Sequence, residues 1–208
     1  ENKGTEEAPV FELQNKKFLQ EDMLDFGAGA APVLFDHNAD GLMDVVVSNF
    51  GYYDSSYLGT GLNLYCIYRS QLALLENTGT ASQPEFKLVT RNYANLPGVL
   101  LEGDHVYGAY PAFADLDDDQ DQDMLLGHAG GSLLHFENVA QPGQPAQFDY
   151  MGLFGDIDVG DFSTPQFIEL NGDGNIDLVV GKRNGTISYF QNTGSPSQIE
   201  FAFLTDSL

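Results

Sequence analysis

The sequence predicts an all-β fold: about three four-stranded β-propeller blades, an arc of a larger propeller, with one orphan outer strand ahead of them. Three observations lead there. A two-part block recurs three times in register. Each copy places a short apolar run directly behind an acidic loop. The chain holds 23 glycines and no long amphipathic stretch, which argues against helices.

The first block of each copy opens at a proline. Residues 32–47, 111–126 and 165–180 align without gaps. Val33 to Phe35 reads as a first strand before the loop. The second strands, Val45-Val46-Val47, Met124-Leu125-Leu126 and Leu178-Val179-Val180, are continuous apolar runs, as expected of strands covered on both faces. Residues 72–76, 132–137 and 186–191 form third strands, and residues 86–90, 148–152 and 201–204 form fourth strands. Between them, Asn77-Thr78-Gly79 and Asn192-Thr193-Gly194 are turn chemistry, with Asn138 in the same place. A β-sandwich is the alternative, but it does not require near-identical loops at every repeat.

From Asp44 to Asn77 is 33 positions, against 15 in each later copy, so the first copy carries an insertion of about 18 residues around 49–70. A partial fourth copy stands at the N-terminus. Asn2-Lys3-Gly4-Thr5 precedes Pro9 and Phe11, which predicts an outer strand at residues 9–14. The expected organisation is therefore 1–25 as outer strand and connection, 26–105 as a blade with the insertion, then blades at 106–158 and 159–208. Glu1 is not an initiator Met, so the reading expects the rest of a longer parent chain.

Acidic residues number 31 and basic ones 8, a net charge of -23. Nucleic acid and anionic membrane are excluded as partners, because a phosphate-binding face needs clustered Lys and Arg. No apolar run is long enough to insert into a membrane. The single cysteine, Cys66, allows neither an internal disulfide nor a cysteine-built metal site.

The loops carry oxygen-bearing side chains at every second position. They are Asp36, Asn38, Asp40 and Asp44; Asp115, Asp117, Asp119 and Asp123; and Glu169, Asn171, Asp173 and Asp177. Clustered carboxylates repel one another, and a hard dication removes the repulsion by using their oxygens. Ca²⁺ suits such a set, one ion per blade, with a backbone carbonyl from Leu42, Asp121 or Asn175 filling a gap. Mg²⁺ prefers a tighter octahedron. Gly41 and Gly174 sit at the sharp turn, where Gln120 costs on the order of 1 kcal/mol if its φ is positive. An EF-hand needs a glutamate at the twelfth position, but Val47, Leu126 and Val180 stand there.

These residues give the chain a resemblance to the FG-GAP and VCBS repeat families, whose blades are similar to those of the integrin α-subunit propeller. The namesake segment is Phe26-Gly27-Ala28-Gly29-Ala30-Ala31-Pro32, with weaker versions at Tyr107-Gly108-Ala109-Tyr110-Pro111 and 160–165. The resemblance implies a propeller with Ca²⁺ in the loop between the first two strands of each blade, in a secreted or cell-surface protein. Glu169 and Gln120 depart from its pattern.

No nucleophile–base arrangement stands out around His37, His105, His128 and His135, and many of the carboxylates are taken up by the loops, so the chain reads as non-catalytic. His37 falls between loop ligands and is expected to point outward. His128 and His135 flank a turn, where a surface or core role is expected. The insertion holds Tyr52, Tyr53, Tyr57, Tyr65 and Tyr68, which read either as a contact surface for a protein or glycan or as rings packed on their own blade. The expected function is a calcium-stabilised adhesion or recognition scaffold. Alternatives are a lectin-like glycan binder or an accessory propeller module of a larger extracellular enzyme.

Overall fold

The computed structural model describes residues 3, 5, 8, 10, 23–101, 104–195 and 198–207. The chain is all-β. In order, the first strands are β1 (Ala31–Phe35), β2 (Asp44–Ser48), β3 (Tyr52–Leu58), β4 (Leu64–Arg69), β5 (Ala73–Asn77) and β6 (Phe86–Thr90). Then follow β7 (Leu100–Leu101), β8 (Asp104–His105), β9 (Tyr110–Ala114), β10 (Asp123–Gly127), β11 (Ser132–Asn138) and β12 (Phe148–Asp158). The last four are β13 (Thr164–Ile168), β14 (Asp177–Gly181), β15 (Ile187–Asn192) and β16 (Phe201–Thr205).

Three antiparallel four-stranded sheets result, ordered β1-β2-β5-β6, β9-β10-β11-β12 and β13-β14-β15-β16. The apolar second strands lie inside each sheet, as their composition requires. The insertion is a separate hairpin, β3 paired with β4, and its 18 residues match the length of the sequence surplus. β12 runs six residues past its predicted end. Its register shifts opposite β11 at Gly152, whose φ of +114° favours glycine.

The middle sheet is sandwiched. On one face Met124, Leu126, Leu134 and Phe136 pack with Phe35, Val46 and Leu74 of the first sheet and with Leu72 just ahead of β5. On the other, Leu125 and Leu133 pack with Leu178, Val180 and Phe190 of the third. The connection from β6 to β9, unassigned by the sequence, plugs the first junction with Tyr93, Leu96, Val99 and Val106.

Backbone bonds repeat at both junctions. Gly108 N–H donates to Phe50 O (2.7 Å) and Ala109 N–H to Asn49 O (3.2 Å). One sheet later, Phe162 N–H donates to Ala129 O (3.1 Å) and Ser163 N–H to His128 O (3.0 Å). Counted from the prolines, these residues are counterparts. Gly29, Gly108 and Phe162, each three before its proline, share left-handed φ values of +65°, +64° and +60°. The weak third version of the glycine motif therefore keeps the conformation without the glycine.

The orphan strand at residues 9–14 lies outside the described residues except for Val10. Its turn is partly described. Lys3 N–H donates to Val10 O and Thr5 N–H to Ala8 O, as Thr78 does to Glu85 and Thr80 to Gln83.

Candidate metal centres

Each acidic loop joins the first two strands of a sheet: 36–43 between β1 and β2, 115–122 between β9 and β10, 169–176 between β13 and β14. The loops curl through left-handed residues at their fourth and sixth positions. These are Ala39 (+57°) and Gly41 (+84°), Asp118 (+68°) and Gln120 (+76°), and Gly172 (+82°) and Gly174 (+87°). Gln120 thus occupies the strained region that its place in the motif predicts.

The first ligand position organises the curl. Asp36 accepts N–H bonds from Asp40 (3.2 Å) and Gly41 (2.9 Å). Asp115 accepts from Asp118 (2.6 Å) and Gln120 (3.0 Å). Glu169 still reaches Gly172 N–H at 2.6 Å, so the longer side chain preserves one such bond. The fifth position accepts the seventh residue's N–H in all three loops: Leu42 to Asp40 and Asn175 to Asp173 at 2.8 Å, Asp121 to Asp119 at 3.0 Å.

In the second loop, carboxylate oxygens of Asp115, Asp117 and Asp119 all lie within 4.8 Å of one another. Asp121 Oδ1 is enclosed and has no hydrogen-bond partner among the described residues. Burial first, then repulsion from Asp119, Asp117 and Asp115, pushes the Asp121 carboxyl up to about 6. An all-oxygen set with an enclosed, unbonded oxygen fits a hard dication. In the other two loops an amide takes the third position, and Asn38 and Asn171 donate to Asp40 (3.0 Å) and Asp173 (2.9 Å). There the carboxylate count is lower, and the amide relieves part of the repulsion. Hydrogen bonds from Asn175 and Asn171 hold the exposed Asp173 below the usual carboxylate range.

The ninth position is different. Asp44, Asp123 and Asp177 are buried under their loops. One oxygen of each accepts the N–H of the loop's second residue: His37 (3.0 Å), Leu116 (3.2 Å) and Leu170 (3.3 Å). The other accepts from Asn77 (2.7 Å), Asn138 (2.9 Å) or Asn192 (2.8 Å) on the third strand. Those asparagines turn their own Oδ1 to the following hairpin, Asn77 to Gly79 and Glu85 at 3.1 Å each. The closing aspartate is thus a clamp from loop to strand to turn. A carboxylate has further lone pairs for a cation. Sequence reasoning read this residue as a candidate ligand and missed the clamp, although the fixed 15-residue spacing to Asn138 and Asn192 was visible.

His37 corrects an expectation. It does not point outward: half-buried, its Nδ1 lies 2.8 Å from Tyr93 Oη. The β6–β9 connection supplies that partner, and burial pushes the imidazole pKa down. His128 Nδ1 accepts the N–H of Gly130 (3.0 Å), so Nε2 carries the proton and donates to Ser132 Oγ (2.8 Å). That tautomer cannot accept a proton from Ser132. His135 is half-buried and edge-on to Phe154 at 5.5 Å.

The five tyrosines divide. Tyr52 and Tyr68 anchor the hairpin's base: Tyr52 Oη donates to Asp25 O (3.0 Å), and Tyr68 lies 5.4 Å from Phe50. Tyr53, Tyr57 and Tyr65 stand 60%, 55% and 47% exposed, with Tyr57 and Tyr65 stacked at 5.3 Å. Among the described residues, no helix is long and apolar enough to cross a membrane. No protein-family model matches the chain, and comparison with curated proteins finds no relative.

Proposed function

We propose that the chain is a calcium-stabilised arc of propeller blades from a secreted or cell-surface protein, serving as a non-catalytic scaffold for adhesion or recognition. The oxygen cluster of Asp115, Asp117 and Asp119 beside the enclosed Asp121 carries the proposal. The same loop curl in all three sheets supports it, as does the repeated junction. Ca²⁺ would be held by the side chains at loop positions one, three, five and nine and by the carbonyls of Leu42, Asp121 and Asn175. Bound there, it neutralises carboxylates that otherwise oppose folding. At millimolar calcium each site adds roughly 0.4–1.4 kcal/mol, for dissociation constants of about 0.1–1 mM. The resemblance to FG-GAP and VCBS repeats agrees with this reading.

Isothermal titration with CaCl₂ and thermal melts in calcium or chelator test it. The expected results are one site per loop and a reversible fall in melting temperature on chelation. An identical melt in both conditions overturns the proposal. A glycan-binding reading is favoured by one observation, the exposed Tyr53, Tyr57 and Tyr65.

A further inference from the structure

The junction used twice inside the chain has, at its two ends, halves that are unpaired among the described residues. The acceptors Asn49 O and Phe50 O, and again His128 O and Ala129 O, have Lys182 O and Arg183 O as counterparts on the third sheet. Lys182 O accepts only the turn bond from Gly185, and Arg183 O accepts none among the described residues. His128 O, by contrast, accepts both its turn bond from Gly131 and the junction bond from Ser163. The donors Gly108 N–H and Ala109 N–H have Gly29 N–H and Ala30 N–H as counterparts on the first sheet, and neither is bonded among the described residues.

The side chains follow the same pattern. At the first junction Phe35 stacks on Phe113 at 4.2 Å. In register, Phe35 corresponds to Ile168, and Phe113 corresponds to Leu34. Phe35 is 3% exposed, whereas Ile168 is 43% and Leu34 is 63% exposed. Leu170 and Ile187 are likewise exposed where their counterparts Leu116, Leu72 and Leu133 are buried. Phe26, which covers the first sheet's outward face, corresponds to Val159, itself packed within the second junction. The first sheet therefore presents the donor half of a junction, and the third presents the acceptor half.

We propose that a second copy of this chain seats its first sheet on the third sheet and remakes the junction between molecules, with Leu34 of one copy against Ile168 of the other. Both halves lie on one chain, so the contact is head-to-tail and closes when each copy supplies both. Two copies bring six sheets together, within the roughly four to eight that close a propeller. The proposal rests on the propeller-arc reading. With a net charge of -23 on each copy, association strengthens with calcium and with salt.

Sedimentation of the full chain in calcium and about 0.5 M salt, where the Debye length is only a few Å, tests this. The expected species has twice the chain mass. Leu34→Asp and Ile168→Asp each weaken association about tenfold or more; both residues are exposed, so the monomer keeps its melting temperature. With Cys66→Ser, the pair Leu34→Cys and Ile168→Cys forms a cross-link between copies on oxidation. A monomer throughout, without cross-links, overturns the proposal. So does a dimer that survives both aspartates, which assigns association to another surface such as the tyrosine hairpin. X-ray scattering from the Leu34→Asp monomer reports the fanned arrangement of three sheets independently, so failure of the dimer and failure of the arc are separable.

Discussion

Asp123 Oδ1 accepts the backbone N–H of Asn138 at 2.9 Å, beneath a loop whose Asp117, Asp118 and Asp119 side chains are exposed. The bond crosses from the second strand of its sheet to the end of the third. It recurs from Asp44 to Asn77 and from Asp177 to Asn192. Loop, strand and turn are therefore one mechanical unit in each sheet. Asp123→Ala removes the acceptor for two buried N–H groups, Leu116 and Asn138. Urea unfolding in excess chelator is expected to show a loss of about 2–4 kcal/mol. A loss no larger than that from an exposed loop aspartate would contradict the clamp.

Asp119 is the position at which the proposed cation binding can be tested apart from folding. It is exposed, and among the described residues its side chain bonds only within its own loop, to Asp121 N–H. Asp119→Asn keeps a carbonyl oxygen for that bond and removes one charge from the cluster. In chelator the variant should match the parent to within about 0.5 kcal/mol. In calcium it should lose most of the second loop's calcium increment, seen as one fewer site in titration calorimetry.

The repeating strands and loops were legible because periodicity, apolar runs and loop spacing are local signals. Fourth strands were placed correctly from Phe86, Phe148 and Phe201, but the length of β12 was not, since only its pairing with β11 sustains it past Gly152. The inward turn of His37 was invisible because Tyr93 is 56 residues away, in a connection without a repeat signature. The oxygen sets could be read directly. The double bonding of Asp44, Asp123 and Asp177 could not, because ligand spacing and clamp spacing select the same residue. The insertion's composition named five tyrosines, but only the geometry divides anchors from exposed rings.

The second loop also sets a pH dependence. In the cation-free protein Asp121 and Asp123 are both held up to about 6, chiefly by burial. Unfolded, an aspartate titrates near pH 3.9. Between these values the folded chain binds more protons than the unfolded one, so these groups make stability fall as pH rises through about 4 to 6. Asp121→Asn abolishes its share. The melting-temperature advantage of the variant over the parent, measured in chelator, is expected to grow from pH 4 to pH 7. Saturating calcium should erase or reverse it at pH 7, where the parent's carboxylate is a charged neighbour for the ion. A pH-independent difference would rule this out.

Backbone strain in the same loop is adjustable. Gln120 stands at φ +76°, where its counterparts Gly41 and Gly174 stand at +84° and +87°. A β-carbon in that region costs roughly 1–2 kcal/mol, partly offset by the extra freedom glycine has when unfolded. Gln120→Gly should therefore stabilise the chain by about 0.5–1 kcal/mol, in calcium and in chelator alike. Gly174→Ala should destabilise it by a similar amount, and since nothing lies within 4 Å of the added β-carbon, conformation alone accounts for the loss. Paired urea titrations of the two variants check the signs. If Gln120→Gly lowers stability, φ strain is not what distinguishes the second loop.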